Sequence, residues 1–146
     1  MRIATAILAI GLTGATMAGA WSEPPRGSAT RAALMDALRP HAEWLLGEPV
    51  EFIIHDLRVE GDIAFAAVWP QRPGGGGIDL RNTPAYFRGE LSPDDIEDIG
   101  MQALYRLSGQ TWVAVHWAIG ATDVWWAYEP ICARYRAVVP GGCDGL

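Results

Sequence analysis

The chain has 146 residues, of which 50% are hydrophobic and 19% charged, and its formal net charge is −6 at pH 7. A chain of this length suits one domain with its own hydrophobic core. The negative charge disfavours nucleic acid and anionic lipid surfaces as partners.

The first twenty residues have the pattern of a secretory signal peptide. Arg2 precedes an apolar stretch from residue 3 to residue 12, and Ala18-Gly19-Ala20 offers a cleavage site of small residues. Threonines and a glycine interrupt the apolar character, so we expect export and removal rather than a membrane anchor. The pattern predicts a periplasmic or secreted protein whose mature chain begins near Trp21 and makes no stable membrane insertion.

The first element of the mature chain is a predicted helix. Ser28 or Thr30 begins it, because either side chain can cap the first turn. Pro40 lies inside the pattern and predicts a kink or a break into two shorter helices. Gly47 ends the helix. The apolar positions recur every three to four residues and form the expected core face, which comprises Leu34, Leu38, Ala42, Leu45 and Leu46.

A hairpin is predicted next. Residues 50–59 alternate as a half-buried strand does, and residues 60–62 form a tight turn. Residues 63–69 are almost continuously apolar, which is typical of a central strand covered on both faces, and Pro70 should end that strand. The inward positions of the first strand are predicted to be Phe52, Ile54, Leu57 and Val59.

Residues 71–77 include four consecutive glycines and predict a mobile loop. A phosphate cradle would need a helix directly after the glycines and usually a lysine, and the chain contains no lysine. Ser92 and Pro93 predict the start of a short helix with acidic residues in its first turn. A calcium site is the alternative use of the acids in residues 90–98, although EF-hand spacing is absent.

The second hairpin is built around the clearest strand in the chain. Residues 101–107 fit either a helix or a strand, but Ser108-Gly109-Gln110 reads as a hairpin turn and residues 111–119 alternate strictly, so we predict two paired strands. In the last strand one face should carry Val113, Val115, Trp117 and Ile119, and the other Trp112, Ala114, His116 and Ala118.

The C-terminal segment is predicted to be a helical turn and a disulfide-tied tail. Thr122 or Asp123 caps a turn over residues 124–128, which Pro130 stops. Cys132 and Cys143 are the two cysteines, and export to an oxidising compartment predicts a disulfide worth at most about 3 kcal/mol for so short a loop. A redox pair or metal site would need activating neighbours or further ligands.

Together these elements predict an α+β domain over residues 28–146, after a disordered lead-in at residues 21–27. A helix kinked near Pro40 packs on an antiparallel sheet of about four strands, and a short helical segment follows. Stretches such as Gly47-Glu48-Pro49-Val50-Glu51-Phe52 and Ile119-Gly120-Ala121-Thr122-Asp123-Val124 resemble uncharacterised exported bacterial proteins. The predicted fold is similar to cystatin-like and nuclear-transport-factor-like domains, and the resemblance implies no known activity.

The candidate functional residues support two hypotheses. A non-catalytic envelope protein would bind a partner protein or a small apolar ligand between helix and sheet, using Trp112, Trp125 and Trp126. Alternatively, a small cone-shaped hydrolase or isomerase would use His116 with Asp123 or Asp56 as general acid and base. A structural role for His116 competes with the second hypothesis, and Trp44, Trp69, Trp112 and Trp117 are primarily core candidates. No metal or cofactor is predicted.

Overall fold

The computed structural model describes residues 21–143, and the predicted signal peptide lies outside this range. The sheet has four antiparallel strands in the order β1-β2-β3-β4. This arrangement of one helix, four strands and a short C-terminal helix confirms the predicted α+β class. In chain order the elements are α1 (Ala29–Leu46), β1 (Glu51–Glu60), β2 (Ile63–Gln71), α2 (Pro84–Phe87), β3 (Met101–Ser108), β4 (Thr111–Ile119) and α3 (Glu129–Tyr135).

Helix α1 begins and ends as its sequence predicts. The Ser28 hydroxyl accepts a hydrogen bond from the Arg31 N–H at 3.3 Å, and the Gly47 N–H donates to the Glu43 carbonyl at 2.8 Å. The predicted break at Pro40 does not occur, since α1 is one helix through that residue. Pro40 is exposed, and the carbonyl left without its helical donor belongs to Asp36, which is also exposed. None of the helices within residues 21–143 is long and apolar enough to cross a bilayer.

The first core lies between α1 and one face of the sheet. The predicted helix face is buried there, opposite Ala64, Ala66 and Val68 of β2. A bulge between Ile54 and Asp56 shifts the register of β1 by one residue. The inward residues of β1 therefore change from even to odd positions, as predicted: Phe52 and Ile54 before the bulge, Leu57 and Val59 after it.

A second core covers the other face of the sheet, so β2 is buried on both sides as predicted. Phe65 and Leu104 lie there against Tyr135 of α3. The predicted disulfide joins Cys132 to Cys143, with their Cα atoms 5.8 Å apart, and ties the tail to this layer.

Three local predictions are wrong. Ser92 begins only a turn, in which its hydroxyl accepts a hydrogen bond from the Asp94 N–H at 3.2 Å. No helix follows, because the acidic residues after Ser92 offer no continuous apolar face to bury. The short helix before β3 is instead α2, capped by Thr83. Pro130 lies in the first turn of α3, where a missing N–H is harmless, rather than at a helix end. Strand β2 continues one residue past Pro70.

The segment that precedes α1 lies along β1. Ser22 and Val59 exchange two backbone hydrogen bonds of 2.9 Å. The guanidinium of Arg58 lies 4.6 Å from the centroid of the Trp21 ring. Residues 21–27, for which we expected a disordered lead-in, thus cover part of one sheet edge.

Candidate functional site

The histidine of the catalytic hypothesis lies on the face of the sheet opposite α1. Ala114 pairs with Tyr105 and His116 pairs with Leu104, which leaves Val115 as an extra residue in β4. This bulge places Ala114 in the first core and His116 against the second, where its ring centroid is 6.1 Å from that of Tyr135. The prediction that His116 shares a face with Trp112 and Ala114 is therefore wrong.

No acid–base pair forms around His116 among the described residues. Asp123 is exposed, and Asp56 is paired with Arg58 at 2.7 Å. No hydrogen bond joins either carboxylate to His116 within residues 21–143. The same range holds no group of three or more His, Cys, Asp or Glu side chains that could bind a metal ion.

The three tryptophans of the binding hypothesis are divided between the two cores. Trp112 is half-buried against the first core. Trp126 is only 4% exposed and packs edge-on against Phe65 at 5.4 Å. Trp125 is half-buried beside it and donates from Nε1 to the Gln102 side chain at 2.8 Å. Since the side chains of the first core also fill the space between α1 and the sheet, these residues do not line a common concavity.

A different group of aromatic residues is exposed, at the C-terminal end of α1. Trp44 is 65% exposed, Phe87 is 74% exposed and Tyr86 is 37% exposed. Trp44, a predicted core residue, instead borders an open groove of about 590 Å³, which we call the Trp44 groove. Its lining residues are Pro40, Glu43, Trp44, Gly47, Glu48, Pro84 and Arg88.

The Trp44 indole is held in place by an ion pair. The Arg88 guanidinium lies 4.5 Å from the ring centroid and donates to the Trp44 carbonyl at 3.0 Å. Glu90 accepts two hydrogen bonds of 2.7 Å from Arg88, one from Nε and one from a terminal nitrogen. The Arg88 hydrogen bond lowers the pKa of the Glu90 carboxyl, so the pair is charged at neutral pH. One face of the indole is thus occupied before any ligand binds.

Arg72 holds the turn after α1, which includes the groove residues Gly47 and Glu48. Its guanidinium donates to the carbonyls of Leu46 at 2.7 Å and Pro49 at 3.0 Å, and also to the carbonyl of Gly47. These carbonyls belong to the end of α1 and the turn after it, where helical donors have run out. A Cβ on Gly47 would lie 3.3 Å from Pro84, so a glycine lets α2 approach the helix end closely.

The groove carries an excess of carboxylates. Glu43 accepts from the Val50 N–H at 3.2 Å through one oxygen, and Glu48 is exposed. Arg88 is the cation that lines the groove, and Glu90 neutralises it. The net charge of the lining, with this ion pair counted as neutral, is therefore negative.

Helical spacing alone could have placed Trp44 on the surface, because it falls outside the stripe formed by Leu38, Ala42 and Leu45. No sequence signal indicated that Arg88 would meet it. No family model, curated protein or solved structure matches the chain.

Proposed function

We propose that the protein is a non-catalytic, exported envelope protein that binds a partner protein through the Trp44 groove. The observation that carries this proposal is that Trp44 is 65% exposed at the border of a groove, whereas Trp126 is only 4% exposed. Exposed aromatic residues beside a groove are typical of interaction sites, and tryptophan and arginine are enriched among residues that dominate binding energy.

The geometry of the groove favours binding without a large ordering penalty. Arg88 and Glu90 hold the indole in one position, so little side-chain entropy is lost when a partner covers it. Fully burying an aromatic side chain contributes about 1.5–3 kcal/mol. Burial of Trp44, and of the exposed Phe87 that precedes Arg88 in the chain, would therefore provide a substantial part of the free energy of a moderate complex.

A partner protein suits this surface better than a small apolar ligand. Small-molecule sites generally enclose about 70–90% of their ligand. The Trp44 groove is open to solvent, and the Trp44 residue on its border remains mostly exposed. A small apolar ligand is the alternative occupant, but an extended partner surface would cover the Trp44 groove more completely.

Export is part of the same proposal. The signal-peptide pattern of residues 1–20 predicts it, and the disulfide between Cys132 and Cys143 suits an oxidising compartment.

Photo-crosslinking from the groove tests the proposal. A photoreactive amino acid replaces Phe87 in the full chain, expressed in an exporting bacterium, and a matched variant carries it at Tyr128, which is also exposed but lies on the other side of the sheet. We expect a discrete adduct from position 87 that is lost when Trp44→Ala is added, and no such adduct from position 128. Equal labelling from both positions, or labelling insensitive to Trp44→Ala, would refute the groove as the binding site.

A further inference from the structure

We infer that the partner segment bound in the Trp44 groove is basic, with a lysine or arginine side chain on the open face of the Trp44 indole. This inference rests on the proposed function and adds the chemical class of the partner. It follows from the charges of the lining, from the chemistry of the indole and from the position of the helix end.

The unneutralised charges in the groove are negative. The ion pair between Arg88 and Glu90 has its own charges satisfied, with contacts of 2.7 Å, and leaves Glu43 and Glu48 as the remaining charged groups of the lining. The chain as a whole has a net charge of −6. An acidic partner would be repelled both at long range and in the groove, whereas a basic one would be attracted.

The indole is suited to a cation. Arg88 already lies 4.5 Å from the ring centroid on one face. The 65% exposed fraction of Trp44 therefore comes from the opposite face and the ring edge. The face of an indole attracts ammonium and guanidinium groups, and tryptophan binds them more strongly than the other aromatic residues do. Carboxylates in the same lining add a second attraction for the same cation.

The end of α1 adds to this potential. Groups at the C-terminus of a helix carry a partial negative charge. Arg72 hydrogen-bonds to the carbonyls of Leu46 and Gly47 and compensates much of it. Even when the whole charge of Arg72 is set against the helix end, the carboxylates of Glu43 and Glu48 remain, so the local charge stays negative.

The experiment compares three peptides on the full chain purified in its oxidised form. Their sequences are four Pro-Lys repeats, four Pro-Glu repeats and four Pro-Ser repeats, and an uncharged chitotetraose is a fourth probe. Binding is measured by calorimetry and by the shift of the Trp44 indole N–H signal in NMR. We expect the lysine peptide to bind at least roughly tenfold more tightly than the other probes and to weaken as salt screens the charges.

Variants locate the interaction. Trp44→Ala should weaken binding of the lysine peptide roughly tenfold, and Glu48→Gln and Glu43→Gln roughly threefold each. Glutamine at position 43 keeps an oxygen that can accept from the Val50 N–H. The matched control is Trp21→Ala, because Trp21 is also exposed and also stacks on an arginine, Arg58, at a site away from the groove. This control should bind the lysine peptide as the unchanged chain does.

The outcomes separate this inference from the proposed function. If the serine or glutamate peptide binds as tightly as the lysine peptide and depends on Trp44, the groove binds partners but the basic class is wrong. Trp44-dependent binding of chitotetraose alone would replace a polypeptide partner by a glycan. If no probe binds in a Trp44-dependent way and crosslinking from position 87 also fails, both proposals are overturned.

Discussion

Replacement of Arg72 by alanine should destabilise the protein, because this side chain ties the end of β2 to the end of α1. Its guanidinium donates to the carbonyls of Leu46, Gly47 and Pro49, and only solvent would replace these bonds. Hydrogen bonds that involve a charged group contribute about 1.5–3 kcal/mol each. The three bonds share one half-buried group and are not additive, so we expect a loss of about 2–4 kcal/mol in the free energy of unfolding.

Thermal and urea unfolding, followed by circular dichroism, measure this loss. For a domain of this size about 1 kcal/mol corresponds to roughly 3–5 °C, so Arg72→Ala should lower Tm by about 6–20 °C. Arg72→Lys keeps the charge but reaches fewer carbonyls, so its Tm should lie between those of the unchanged chain and Arg72→Ala. Arg81→Ala is the matched control, since its exposed side chain makes none of these bonds, and it should stay within about 0.5 kcal/mol of the unchanged chain. If Arg72→Ala is as stable as this control, the role of Arg72 as the C-terminal cap of α1 is wrong.

Three further predictions concern the tail, the first core and export. Replacing both Cys132 and Cys143 by serine should lower the free energy of unfolding by at most about 3 kcal/mol, measured by urea unfolding. Burial raises the pKa of the Tyr105 hydroxyl, so the unfolded chain loses this proton above about pH 10 while the folded chain keeps it. The free energy of unfolding should therefore fall as pH rises beyond that point. Tyr105→Phe should make this fall with pH less steep by up to about 1.4 kcal/mol per pH unit. An unchanged dependence of the free energy of unfolding on pH would contradict this prediction. The intact mass of the exported chain should equal that of a chain that begins at Trp21 and should be two hydrogens lighter than that of the reduced form. A chain that retains residues 1–20 would contradict export.

Two weak contacts of Arg88, one with Glu90 and one with Trp44, fix the geometry of the Trp44 groove. Arg88 would be an ordinary exposed arginine if Glu90 did not fix it and Trp44 did not lie beneath it. Surface ion pairs contribute little to stability. The expected benefit of this pair is in binding, because it holds the indole in one orientation before a partner arrives.

Local chemistry in the sequence was sufficient for most of the fold. Helix α1 begins after Ser28 and ends before Gly47, as predicted, because capping depends on the residue itself and its nearest neighbours. The two hairpins follow from alternation and short turns, and the double burial of β2 follows from its continuous apolar run. The disulfide joins Cys132 to Cys143, the two cysteines of the chain, which are 11 residues apart in the sequence.

The functional surface depends on contacts between residues far apart in the chain. The bulge at Val115 reversed the side of the sheet on which His116 lies, because one extra residue in a strand changes the face of every residue beyond it. Trp44 and Arg88 meet where α2 packs against the end of α1, an approach that the absence of a side chain on Gly47 permits. The sequence by itself determined α1, the four strands and the core face of α1, since these depend on local pattern. Tertiary structure alone decided on which side of the sheet His116 lies and that Arg88 meets Trp44, since both depend on contacts between residues far apart in the chain.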